Sequence, residues 1–326
     1  MPERNPVQMK TFMLVASALL SVPGSCQSSN VLSDSSPSAP AQVGYLGFDR
    51  NDYPGDSNIK VLRQTFSYSG YWLNNPPGAK TNSWTGKRKI LQDAGFGFLV
   101  LFNGRTYAEI KSAGNASKLG TSDAAAAISR AHAEGFPSKT VIFLDQEQGG
   151  RLLPEQRAYL HAWVDGVSAA GFVAGIYCSG IAAKEGGGSS IVTADDIRNH
   201  AGSRKIKYWV VNDSCPPSPG CTVSRRDLLP ASSGIPFSDV WQFAQSPKRA
   251  DFAKSCPANY NQDRNCYPAG EVSSKDPALR IHVDLDVATS SDPSHGRTSA
   301  TASGETGLAA HQSDPPMDGP KRSSLN

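Results

Sequence analysis

Short apolar runs recur along the chain, separated by stretches whose apolar residues fall at helical spacing. Gly44–Asp49, Phe66–Leu73 and Phe96–Phe102 read as the first strands, the third apolar enough to be buried on both faces. Val141–Glu147, Val173–Ser179, Lys207–Asp213, Asp239–Gln245 and His282–Ala288 continue the series. Between them, Asn58–Gln64, Gly86–Ala94, Ser122–Glu134, Pro154–Ala170 and Ala194–Ala201 carry helical patterns. Gly135 stops the third of these, and the fourth has proline at its start and Gly171 just past its end. No clear helix links the last three strands. Strands alternating with helices call for a parallel sheet. Eight such strands predict an α/β fold, an irregular (β/α)8 TIM-like barrel with its late helices missing or short. An open doubly wound sheet is the alternative, but no Gly-x-Gly-x-x-Gly or phosphate loop follows any strand.

Composition sets the borders. Lys10 precedes the apolar run Thr11–Leu20 and a small-residue exit ending at Cys26, the layout of a secretory signal and too short to span a membrane as a mature helix. Cys26 after Gly24-Ser25 also offers a site for lipid attachment, against which Pro23 speaks, so plain secretion or periplasmic export is the expectation. Residues 27–42 and 289–326 have few large apolar side chains and are expected to be a disordered linker and tail, leaving 43–288 as the barrel. A net charge of +3 does not argue for nucleic acid, and its mild basic lean suits an anionic envelope polymer only weakly. No later stretch is apolar enough to cross a bilayer, and a monomer is expected.

Cys215 and Cys221 flank Pro-Pro-Ser-Pro-Gly, and Cys256 and Cys266 flank a polar loop. In an exported chain these spacings read as two local disulfides in preference to a zinc site, since no Cys-x-x-Cys occurs. Cys178, inside an apolar strand, is expected to be a buried free thiol. The histidines lack ligand spacing and no Gly-x-Ser-x-Gly elbow is present, so neither a metal, another cofactor nor a serine nucleophile is expected.

The chemistry concentrates at strand ends. Val-Ile-Phe-Leu-Asp145-Gln-Glu147 closes with two acids at i and i+2, a spacing that puts both on one face of a strand. Asp49, Asn212 or Asp213, Gln242, and Asp284 or Asp286 also fall late in predicted strands. If all strands run the same way, these positions converge on the carboxyl-terminal mouth, where barrel active sites lie. A shared rim of acids without matching lysines suits acid–base chemistry, because like charges held together raise the pKa of one of them.

Gly47-Phe-Asp49, Asp145-Gln-Glu147, Gly175-Ile-Tyr177, Trp241-Gln242-Phe243 and Val283-Asp284-Leu285-Asp286 occur in the order of the family-25 glycoside hydrolases, which they resemble. These are muramidase-type lysozymes with an irregular barrel. The segments Gly47-Phe-Asp49-Arg50 and Gly70-Tyr71-Trp72-Leu73 are closer still to a group of exported bacterial glycoside-hydrolase-like domains of unknown function. The resemblance covers nearly all of residues 44–288.

It implies hydrolysis of a β-linked amino-sugar glycan such as peptidoglycan. Glu147 would be the general acid, Asp145 would orient the substrate N-acetyl group as internal nucleophile, and Asp49 would hold the acid cluster. Asp284 is a weaker member, and Asp286 stands where the lysozymes usually have asparagine. Tyr71, Tyr177 and Trp209 are candidates for stacking on sugar rings, with Asp213 and Gln242 also at the site. The competing reading is a catalytically silent glycan-binding or envelope-interaction protein on the same barrel.

Overall fold

A computed structural model describes residues 44–213, 228–244, 281 and 283–297. The expected signal and linker, Cys26, the four cysteines expected to pair (Cys215, Cys221, Cys256 and Cys266), and the tail beyond residue 297 lie outside the described residues. In chain order the strands are β1 Tyr45–Asp49, β2 Tyr68–Trp72, β3 Gly97–Asn103, β4 Val141–Asp145 and β5 Val173–Ser179. A hairpin of β6 Ala182–Lys184 and β7 Ser190–Val192 follows, then β8 Lys207–Val211, β9 Val240–Ala244 and β10 Asp284–Ala288. The helices are α1 Asp56–Thr65, α2 Arg88–Asp93, α3 Tyr107–Ser112, α4 Ala116–Ala133, α5 Pro154–Ala169 and α6 Thr193–His200.

Eight strands close a barrel in the order β1-β10-β9-β8-β5-β4-β3-β2. The expected α/β barrel with short late helices is therefore present; only a 3-10 turn, Pro230–Ser233, is seen between β8 and β9 among the described residues. The helical pattern at 122–134 is part of the longer α4, and α3 went unnoticed because it is one short turn-and-a-half set by a cap. Thr106 accepts from the Glu109 amide while Glu109 reaches back to the Thr106 amide. Inside the barrel, glycine makes room for rings and acids: a Cβ on Gly47 would lie 2.1 Å from the Tyr68 ring, and one on Gly70 2.7 Å from Asp49 Cβ. Outside, Phe48 packs edge to face on Phe96 and at a tilt on Phe66.

Two expectations are corrected. The strands do not all run the same way. β10 pairs antiparallel with both β1 and β9, with Asp49 opposite Asp284 and Gly47 opposite Asp286. The chain leaves β9 at the mouth and re-enters there, which antiparallel pairing permits without a crossover. It is thus the start of β10, not its end, that faces the mouth.

The barrel unit also does not end at residue 288. β4 joins β3 only from the pair Val100–Ile142 upward, so the first residues of β3 have no strand on that side. Residues 292–297 fill the gap. The Ser294 amide donates to Phe98 O (2.8 Å) and Ser294 O accepts from the Val141 amide (2.9 Å). The Phe98 amide donates to Asp292 Oδ1 (2.8 Å), and the Val100 amide to the fully buried Ser294 Oγ (2.9 Å). Arg88 Nη2 donates to Gly296 O and Arg297 Nη2 to Gly95 O, both at 2.7 Å.

Ser294→Ala strands the buried Val100 amide and is expected to cost about 1–3 kcal/mol. Urea unfolding should show it. Ending the chain after Ser291 should be far more damaging, since it removes the whole brace; an unchanged melting temperature for that truncation would contradict this assignment.

Candidate active site

The mouth is built in two tiers. The floor is buried: Asp49 on β1, Tyr177 on β5, Trp209 on β8, Gln242 on β9 and Asp286 on β10 are each at most 6% exposed. Hydrogen bonds between their side chains show that they meet inside the barrel. Tyr177 donates its hydroxyl to Gln242 Oε1 (2.8 Å), Gln242 Nε2 donates to Asp49 Oδ2 (2.7 Å), and Trp209 Nε1 donates to Asp286 Oδ1 (2.9 Å). Asp286 is hydrogen-bonded to Asp49, and burial, then the Asp49 charge, holds its carboxyl well above the usual range. Two carboxyl oxygens can bond to each other only through a proton. The upward shift favours the proton on Asp286. A protonated carboxyl offers one donor and one acceptor, as an asparagine amide would.

The field at the mouth converges on Tyr177. Its phenol is pushed far up by burial first, then by Glu147, Asp145, Asp49 and Asp284. Tyr68, beneath it, is raised by burial, then Asp286 and Asp49. The half-buried Arg50, next after Asp49, is lowered by burial and sits in the fields of Asp52 and Asp284. Trp72 Nε1 and Trp84 Nε1 staple the loop after β1 by donating to Arg50 O (3.1 Å) and Asn51 O (2.9 Å).

The rim is a polar cleft of about 470 Å³ over the ends of β2, β3 and β4, lined by Asn74, Asn103, Arg105, Arg130, Asp145, Glu147 and Gln148 among others. Asp145 is buried and Glu147 is exposed. The two are not neighbours on one strand face as the spacing implied, because β4 stops at Asp145. Gln146 prolongs the wall by one amide, donating to Tyr177 O (3.0 Å), and Glu147 then leaves it. The loop is clamped on both sides. Gln148 Oε1 accepts from the Tyr107 amide (2.7 Å) and Gln156 Nε2 (3.0 Å), while the Gly150 amide donates to Thr193 Oγ1 (2.7 Å) and the Leu152 amide to buried Asp196 (2.9 Å). Across the cleft, Asn103 receives and returns bonds with Asn74 (2.7 and 3.0 Å), extending the β2–β3 ladder with side chains. Buried Asp123 grips Arg105 through Nε and Nη2 (2.8 and 2.9 Å), itself held by the Tyr159 hydroxyl (2.9 Å).

Of the expected site residues, Asp49, Asp145, Tyr177, Gln242 and Asp284 come together at the mouth, with Glu147 at the rim and half-buried Asp213 in the turn past β8. Tyr71 does not. It lies on the outer face of β2, its hydroxyl bonded to Glu134 Oε2 (2.6 Å) and its ring against Trp84, Phe98 and Phe136. Tyr177 and Trp209 do not offer faces to a sugar either: their ring centroids are 4.3 Å apart, both are buried and both polar tips are engaged. Asp286, which the sequence offers only as an alternative to Asp284, is buried in the floor. The cleft residues Asn74, Asn103, Arg105 and Arg130 had no signal, being loop and helix residues brought together only by the closed barrel. Among the described residues no group of three or more His, Cys, Asp and Glu side chains is arranged to hold a metal, and no helix is long and apolar enough to cross a membrane. Cys178 is free and buried.

Residues 70–218 match the family model of the Rv2525c-like, glycoside hydrolase-like domain. In structure the chain is similar to an uncharacterized protein of B. stearothermophilus (16% identity, 75% of this chain and 95% of that one, TM-score 0.46). It is similar to the Tat-secreted protein Rv2525c of Mycobacterium tuberculosis (14% identity, 75% and 94%, TM-score 0.44). A bacterial lysozyme from Streptomyces coelicolor is a further structural neighbour (15% identity, 79% and 99%, TM-score 0.42). No curated protein matches the sequence.

The shared proton has a pH signature. An unfolded aspartate loses its proton near pH ~3.9, whereas folded Asp286 keeps it to higher pH, so the folded state binds more protons above that point and stability falls as pH rises. Asp286→Asn supplies the same donor and acceptor with nothing to ionise. Its stability relative to wild type is expected to improve steadily from about pH 4 upward. Urea midpoints at several pH values measure this, and a difference that does not change with pH would mean that Asp286 is ionised.

Proposed function

We propose that the protein is an exported glycoside hydrolase acting as a monomer on a β-linked amino-sugar glycan such as peptidoglycan, without a cofactor. The observation that carries this reading is the meeting of Asp145 and Glu147 at one polar cleft, with Asp49 close enough that all three carboxylates act on the Tyr177 phenol. The glycoside hydrolase-like match over residues 70–218 supports it.

In the mechanism, Glu147 protonates the glycosidic oxygen as the bond to C1 breaks. The N-acetyl carbonyl oxygen of the same sugar bonds to C1, and Asp145 accepts the amide N–H and offsets the positive charge of the resulting oxazolinium ion. The Glu147 carboxylate then takes a proton from water as that water attacks C1 and the bond from C1 to the N-acetyl oxygen breaks, its electron pair returning to the amide, so configuration is retained and the acid is restored. Asp49, which accepts from Gln242 Nε2, holds the acid cluster together with Asp286. Asp284, Tyr177 and Asp213 border the same space.

A second reading, glycan binding without turnover, is favoured by one observation: Glu147 is exposed at the rim and is not enclosed by apolar groups. On that reading the cleft holds a glycan and the acids only shape it.

Zymograms on purified cell walls separate the two. Glu147→Gln removes the proton donor with almost no change in shape, and cleavage is expected to fall by about 10²–10⁴-fold. Asp145→Asn should be comparably severe on N-acetylated substrate. Equal lysis by wild type and Glu147→Gln would remove Glu147 from the mechanism, and wall binding without lysis by wild type would establish the second reading.

A further inference from the structure

The barrel end opposite the mouth carries a second concave site. A cleft of about 590 Å³ lies where β5, β8 and β9 begin, lined by Val173, Arg198, Arg204, Lys205, Lys207 and Asp239 among others. Four cations from one short segment, residues 198–207, meet in it. They are not equivalent. Asp165 holds Arg204 through Nε and Nη2 (2.7 and 2.8 Å), and Asp239 pairs with Lys207 Nζ (2.7 Å). Arg198 and Lys205 are exposed, and neither has a carboxylate partner among the described residues. Arg198 is nevertheless fixed in place, its guanidinium 4.1 Å from the centroid of the Phe237 ring, which in turn meets Tyr208 edge to face at 4.9 Å. The surplus charge of the cleft is thus held by one oriented guanidinium and one ammonium, with two further cations positioned at its wall.

We propose that this cleft binds a flexible phosphodiester polymer through its phosphates, anchoring the protein to an anionic envelope polymer while the mouth at the other end stays free. Positioned cations in a concave surface are the recognition chemistry of phosphate. Other phosphate sources fit less well. A nucleic acid bound here would want an aromatic face for its bases, but Phe237 is covered by Arg198 and Tyr208 is only 6% exposed. A bilayer would want apolar side chains at the rim, yet the exposed large hydrophobic residues among those described are Tyr45, Leu153 and Ile181, none of which lines the cleft.

Soluble poly(glycerol phosphate) is the probe, titrated at several salt concentrations against wild type, Arg198→Gln/Lys205→Gln, Lys205→Gln alone, and the control Lys60→Gln/Lys118→Gln. The control removes the same charge from exposed positions elsewhere. The cleft double variant is expected to bind at least tenfold more weakly and to lose roughly one unit of salt slope per cation removed. Lys205→Gln, whose side chain braces nothing, should fall in between, and the control should match wild type. Equal weakening by both double variants would reduce the effect to net charge and overturn the site. Absence of wild-type binding would overturn it as well, as would equally tight binding of phosphatidylglycerol vesicles or duplex DNA through Arg198 and Lys205. Glu147→Gln should bind the polymer as wild type does, so the outcome does not depend on whether the mouth hydrolyses glycan.

Discussion

Asp49 and Asp286 face each other at the centre of a closed barrel, out of reach of water. Two ionised carboxylates in that place would repel strongly at low effective dielectric, so the pair persists because one proton is shared between them. Everything at the mouth is arranged around this condition. Trp209 supplies a donor to Asp286 and Gln242 one to Asp49, and Tyr177 orients the amide of Gln242. The aromatic rings that fill the barrel are chosen for their polar tips as much as for their volume.

Above that floor the rim is held by a different device. Glu147 rides on a loop and not on a strand, yet the loop is bound on one side to α3 and α5 through Gln148 and on the other to α6 through Thr193 and Asp196. Arg151, paired bidentately with Glu185 (2.8 and 3.0 Å), ties the same loop to the β6–β7 hairpin. Loops serve chemistry when a scaffold fixes them, and here the fixing groups come from segments spread from residue 107 to residue 196.

At the other end, the mismatch in length between β3 and β4 leaves strand groups that residues 292–297 satisfy, so the chain past its last strand is part of the barrel. The same end presents the basic cleft. A barrel separates its two ends by the length of its strands, so the basic cleft and the acidic mouth lie on opposite faces.

Much of this was readable in the amino-acid order. The strand series, the barrel class, the buried Cys178 and the late placement of Asp49, Asp145 and Gln242 on their strands follow from apolar runs and the polar residues that close them, because burial and the two-residue repeat of a strand are local properties. What the order could not tell was which way β10 runs. Direction depends on where the preceding connection returns, and it decides that Asp284 is at the rim and Asp286 in the floor. Nor could it tell that Tyr71 faces the helices, since an aromatic on a strand looks alike whichever face it occupies. The Ser/Asp-rich stretch after β10 read as tail because hydrogen bonds to unpaired strand amides leave no hydrophobic trace. The cleft wall of Asn74, Asn103, Arg105 and Arg130, and the proton between Asp49 and Asp286, exist only once the barrel closes and excludes water, for they arise from distances between residues that are far apart in the chain.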